Sequence, residues 1–179
     1  YLAKNNNAIT RLASLVALNP DLKVLVMLRN PLQHAKSLLA QHQKFVKEQQ
    51  EDPFILTYMD WLGHHEFGNG QRPFSLEGGE GVGSEEEIGH IDYWVAQWIA
   101  YYSRLKNLEG LSLIHYEAFV KAPKRTLEAV VQATDIQLNL GDVSVFEKEE
   151  RPVTGVSSAL EAKAVELYDT LLKRCLNAY

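Results

Sequence analysis

Cysteine is almost absent from this chain. Cys175 is the only one in 179 residues, so no disulfide can form within it. Long apolar runs are missing too: none approaches the roughly 20 residues that a membrane-spanning helix needs. Nor is there a surplus of positive charge. Lys and Arg number 18 against 23 Asp and Glu, a net charge of −5, with no basic tail and no Lys/Arg-rich helix face. That balance argues against broad binding to nucleic acid or to an anionic membrane, and any anionic ligand has to be gripped locally. A reducing, cytoplasmic setting fits these absences. The chain also opens at Tyr1 without a methionine or a signal-like segment, so it is expected to be N-terminally incomplete.

What is present suffices for a core. With 46% hydrophobic and 23% charged residues, one globular domain over 1–179 is expected. Ile9, Leu12, Leu15 and Val16 recur at helical spacing and Asn19-Pro20 closes that helix. Leu22 to Leu28 is near-continuously aliphatic, as in a parallel strand covered on both faces. Asn30 suits an N-cap and Pro31 a first helical position, after which Leu32, Ala35, Leu39, His42 and Val46 form one apolar stripe. Further helices are expected at about 53–62, 90–106, 123–133 and from Ser157 or Ser158 through Leu172, with a second strand at Leu111 to His115. Residues 75–89, rich in Gly and Glu, read as a mobile surface loop. Strands alternating with helices give an α/β layer fold with a parallel sheet.

The stretch "VLVMLRNPLQHAKSLL" ends an apolar strand in Arg29 and carries Ser37 eight positions on. In open α/β sheets ligands gather beyond the carboxyl ends of strands, where helix N-termini point outward. Asn30, Gln33 and Ser37 share a helix face apart from the apolar stripe. Eight residues rise about 12 Å along a helix, a span that an extended arginine, a hydroxyl and a phosphate fill together. A guanidinium fork with a neutral hydroxyl suits a phosphate dianion. The blander reading is a solvated or ion-paired strand end and an exposed serine.

The same stretch resembles the 3′-phosphate-binding segment of sulfotransferases that use 3′-phosphoadenosine 5′-phosphosulfate (PAPS), in which a strand ends in R-[DN]-P and a serine follows the arginine by eight. "IHYEAFVKAPKRTLEAVVQATDIQL" is similar to that family's later signature, and "TYMDWLGHHEFGNGQRPF" to a segment of some bacterial members. The resemblance covers most of residues 3–140. It implies a P-loop NTPase-like three-layer α/β/α fold. It also implies Arg29 and Ser37 on the 3′-phosphate, Tyr116 near the adenine and Arg151 reaching the phosphate from a late loop. PAPS is then the co-substrate, 3′-phosphoadenosine 5′-phosphate (PAP) the product, a hydroxyl or amine the acceptor, and no metal is required. Lys4 falls near the family's acceptor-side lysine, and Asn6 stands where a histidine base would be. An amide cannot take a proton near neutral pH, so His64, His65 and Glu66 are the candidates for acid–base work. Adjacent histidines do not share a helix face as in H-E-x-x-H, which speaks against zinc.

One departure is large. The family's Gly-rich loop for the 5′-phosphosulfate has no counterpart here, since neither "GGEGVGS" nor "FGNGQ" follows an apolar strand. A non-catalytic nucleotide-binding protein is one alternative. A P-loop small-molecule kinase is another, which would need a G-x-x-x-x-G-K-[ST] loop that the chain lacks. Trp61, Phe67, Trp94 and Trp98 are either acceptor-pocket or core residues, Glu117 reads as a helix-start residue, and Cys175 as a packing residue.

Overall fold

The computed structural model describes residues 3–5, 7–73, 87–136, 139, 141, 143 and 152–177. Asn6 and Arg151 lie outside that set, as do residues 75–86 of the Gly-rich stretch. A 3-10 turn at Ala8–Arg11 leads into α1 (Leu12–Leu18), followed by β1 (Val24–Leu28), α2 (Pro31–Glu51), α3 (Pro53–Leu62), α4 (Ile91–Ser103), β2 (Leu111–His115), α5 (Tyr116–Lys121), α6 (Pro123–Thr134) and α7 (Ser158–Leu172). The result is a helix-rich α/β structure around a small parallel sheet.

Local chemistry explains most boundaries. Asn30 Oδ1 accepts from the backbone N of Leu32 and of Gln33, both at 3.1 Å, and Pro31 occupies the first turn of α2; two of the orphan N–H groups of the helix start are thereby satisfied. Pro53 ends α2 and opens α3, whose cap Asp52 accepts from Phe54 N at 2.9 Å. Gly63 closes α3 at φ 70, a left-handed conformation that glycine adopts without penalty. Ser157 holds the cap position of α7 but its side chain makes no cap bond; its own N–H goes to Asp92 Oδ1 at 2.9 Å.

β1 and β2 pair in parallel from Val24↔Leu111 to Leu28↔His115. A C-terminal segment completes β2's other side: Cys175 bridges to Leu113, and Leu176 N donates to Leu113 O at 2.9 Å. The side chain of Asn177 then imitates a strand, accepting from His115 N at 2.7 Å and donating to His115 O at 3.0 Å and to Thr126 Oγ1 at 2.9 Å.

Helix α4 is the hub. Its Trp98 and Tyr102 pack with Leu12, Leu28, Leu105, Leu113 and Leu171, while its Tyr93, Trp94 and Val95 pack with Ala35 and Ala164. Trp94 and Trp98 are thus core residues. Two sequence expectations need correction. Among the described residues β1 has one open face, with Leu25 and Met27 each 40% exposed; the run is aliphatic throughout, and composition carries no information about which neighbours are present. The expected loop at 75–89 also ends earlier: Glu87, Ile88 and Gly89 belong to a turn in which Ile88 O accepts from Trp94 Nε1 at 2.9 Å and Ile88 packs on the second cluster.

Candidate functional site

The parallel register sets Leu28 beside His115, so Arg29 and Tyr116 leave the sheet at the same level, at its C-terminal rim. The Arg29 guanidinium carbon lies 5.1 Å from the centre of the Tyr116 ring, within cation–π reach. Arg29 is partly buried. Its Nε is fully enclosed with no hydrogen-bond partner among the described residues, and no carboxylate there pairs with it.

The nearest acidic rim residue is committed elsewhere. Glu117 Oε1 accepts from Asn30 N at 2.9 Å, which anchors the first turn of α5 to the start of α2. Glu117 Oε2 lies 2.9 Å from His115 Nε2, and the same ring nitrogen lies 2.8 Å from the Tyr168 hydroxyl. Oε2 itself is enclosed and makes no aligned hydrogen bond among the described residues. Tyr102, from α4, donates its hydroxyl to Met27 O at 2.8 Å. Burial pushes its pKa up to about 12, with Arg29 pulling it down and Glu117 pushing it up, so it is a neutral donor that feels both rim charges.

The start of α2 is more closed than the sequence implies. Asn30 Oδ1, Asn30 O and Glu117 Oε1 take up the N–H groups of Leu32, Gln33, His34 and Asn30. An anion at this rim is therefore held by side chains rather than by free helix N–H groups. Ser37 sits partly buried two turns along α2, and next to it Lys36 Nζ donates to Pro152 O at 2.8 Å. Pro152 is the residue after Arg151, which itself lies outside the described set.

A second group of residues stands on the segment after α3, and the fold fastens that segment firmly. Gly68 N donates to His42 Nδ1 at 3.2 Å, and Asn69 N to Gln49 Oε1 at 2.7 Å. A Cβ on Gly68, at φ +79, would stand 2.5 Å from the Gln49 amide, so only glycine permits this approach. Phe67 stacks on Phe45 and Trp94, and Gln71 Nε2 donates to Tyr93 OH at 2.9 Å. Burial lowers the pKa of His42, which keeps its ring neutral and able to accept from Gly68.

On this base the three acid–base candidates separate. His65 Nδ1 lies 3.2 Å from Gly70 O and 3.4 Å from Asp60 Oδ1, and works as a staple within the turn. His64 is 57% exposed, with Nδ1 3.6 Å from Glu66 Oε2. Glu66 Oε1 accepts in turn from Asn7 Nδ2 at 3.1 Å, which brings the N-terminal segment against this turn. Lys4, three residues before Asn7, is exposed. Tyr101 is pushed up to about 12 by burial, then by Tyr93 and Glu66. Neighbours on α4 thus address two places, Tyr102 the rim and Tyr101 the turn. No group of three metal-ligating side chains occurs among the described residues.

Sequence reasoning treated Glu117 as an ordinary helix-start residue and did not foresee its bridge to Asn30. Its position directly after Tyr116, at the end of β2, was the available signal. No family model, curated protein or solved structure matches the chain.

Proposed function

We propose that this chain is the 3′-phosphate- and acceptor-binding part of a PAPS-dependent sulfotransferase with a P-loop NTPase-like three-layer α/β/α architecture. One observation carries the reading: a partly buried arginine at the rim of a parallel sheet, stacked on a tyrosine, with an enclosed Nε and no anion of its own among the described residues. A half-desolvated cation of this kind is costly unless something negative joins it. The ribose 3′-phosphate of the donor, gripped by Arg29 with Ser37 and Arg151 and flanked by Tyr116, supplies that charge.

Sulfuryl transfer asks little covalent work of a protein; it needs in-line placement and charge stabilisation. The acceptor oxygen or nitrogen attacks sulfur as its proton passes to His64, and the bond from sulfur to the donor's bridging oxygen breaks toward PAP. Glu66 orients His64 and stabilises the imidazolium, and Asn7 fixes Glu66. Lys4 balances charge on the acceptor side, and His65 keeps the turn in shape. The loop for the 5′-phosphosulfate is not among the 179 residues. Asn6 in place of a histidine favours as a second reading a protein that binds the nucleotide without catalysis.

Titration with PAP and with adenosine 5′-phosphate tests the assignment. The reading predicts that PAP binds more tightly because of its 3′-phosphate; equal affinities would refute it. Radiolabel transfer from PAPS to a panel of phenols, alcohols and amines then separates enzyme from binder, and a His64→Ala variant that binds PAP normally but transfers nothing is the enzymatic outcome.

A further inference from the structure

The face of α4 that meets the turn after α3 carries enclosed polar atoms with nothing to bond. Tyr93, Gln97 and Tyr101 follow one another at a spacing of four along α4, so they share that face. Gln97 is only 8% exposed, and its Nε2 is fully enclosed with no hydrogen-bond partner among the described residues. Gln71 Nε2 donates to Tyr93 OH at 2.9 Å, yet Gln71 Oε1 is enclosed and unpartnered as well. Two enclosed amides thus each lack a bond, and gaps of this kind are costly enough that folded proteins nearly always fill them.

Along this face Gln97 stands between Tyr93, which holds Gln71, and Tyr101, which feels both Tyr93 and Glu66. Burial raises the pKa of both tyrosines, so their hydroxyls stay neutral, and Tyr93, having accepted from Gln71, keeps a proton to give. The chemistry of an occupant follows. An ammonium only donates and leaves Gln97 Nε2 unserved; a carboxylate or phosphate only accepts, leaves Gln71 Oε1 unserved and is repelled by Glu66. A hydroxyl donates and accepts, and satisfies either amide whichever way it is turned. Serving both amides and Tyr93 calls for more than one hydroxyl, which a simple phenol does not have.

We propose that this face binds a neutral polyhydroxylated molecule, a sugar or polyol, and that Gln97 and Gln71 select it. Only the role of that molecule as acceptor rests on the sulfotransferase reading: it presents one hydroxyl to His64, which lies beside Glu66 at the Tyr101 end. The acceptor thereby narrows from any hydroxyl or amine to the alcohol of a sugar or polyol.

Saturation-transfer NMR with glucose, galactose, mannose and myo-inositol at millimolar concentration, with phenol and benzylamine for comparison and no nucleotide present, tests it. At least one of the four polyols is expected to receive saturation, and neither comparison compound to do so. Gln97→Leu removes the amide at nearly constant size and is expected to weaken that binding roughly five- to tenfold. Loss of an unpaired buried amide is not expected to unfold the chain; should it do so, Tyr93→Phe, which keeps the ring and drops the hydroxyl, is expected to weaken binding by a similar factor. Binding of none of the four polyols overturns the proposal and leaves water as what fills the gap. Equal binding of phenol or benzylamine overturns it too, as does polyol affinity unchanged in Gln97→Leu. A chain that binds PAP and no polyol loses this proposal alone, and one that binds a polyol but not PAP loses only the nucleotide reading.

Discussion

Asn177 is expected to be worth far more than its place near the end of the sequence implies. Residues so near a chain end are usually frayed and tolerant of change. Here the residue is 8% exposed and its side-chain amide makes three hydrogen bonds, to His115 N, His115 O and Thr126 Oγ1. Asn177→Ala would leave a backbone donor, a backbone acceptor and a hydroxyl in a dry site. Each unsatisfied buried group costs about 1–3 kcal/mol, so three such groups are expected to cost at least about 3 kcal/mol together. Urea unfolding followed by tryptophan fluorescence reads the loss as a lower midpoint at unchanged slope. Because His115 adjoins Tyr116 and Glu117, the same variant is expected to bind PAP less tightly even where it is fully folded. A loss below about 1 kcal/mol would show that water replaces the amide freely and that the C-terminal segment does not hold the sheet.

His42 makes stability depend on pH. Its folded pKa lies below the ordinary 6.5, so its contribution is complete above about pH 6.5 and is lost as pH falls through the folded value, because the unfolded chain takes up the proton first. The melting temperature should drop more steeply below pH 6.5 in the wild type than in His42→Asn, whose amide oxygen can still accept from Gly68; parallel curves would contradict the assignment. Cys175, its thiol pushed up to about 12 by burial, has a thiolate fraction roughly a thousandfold below that of an ordinary thiol. Alkylation at pH 8 should be correspondingly slow in the folded chain and fast in denaturant. Gly68→Ala drives a Cβ into the Gln49 amide at a positive φ and is expected to cost about 2–4 kcal/mol and to expose the turn around His64 to proteolysis; an unchanged digestion pattern would refute the tight approach.

Much of the skeleton was legible because it rests on local signals. Asn30-Pro31 and Asp52-Pro53 mark helix starts through capping oxygens and proline's fixed φ, and Leu111 to His115 is an apolar run between polar borders; each appears where the residues imply. The arginine at the rim was legible for the same reason, since strand, turn and helix follow within a few positions. What pins these elements together was not. Asn177 meets His115 across 62 positions, and Glu117 meets Asn30 across 87, so no periodicity announces either. The two histidines after α3 looked equivalent by type and spacing. They parted only when the fold gave His65 to Gly70 and Asp60 and left His64 facing Glu66. The exposed side of β1 escaped for a related reason, because an aliphatic strand looks the same whether its second face is covered or open.

The central claim is that Arg29 is an anion-binding cation rather than a solvated strand end, and calorimetric titration of PAP into wild type and Arg29→Ala at one fixed salt concentration tests it most directly. Loss of a charge-assisted phosphate contact is worth about 1.5–3 kcal/mol, so affinity is predicted to fall roughly 10- to 150-fold, with Arg29→Lys in between. Equal affinity in wild type and Arg29→Ala would contradict the account.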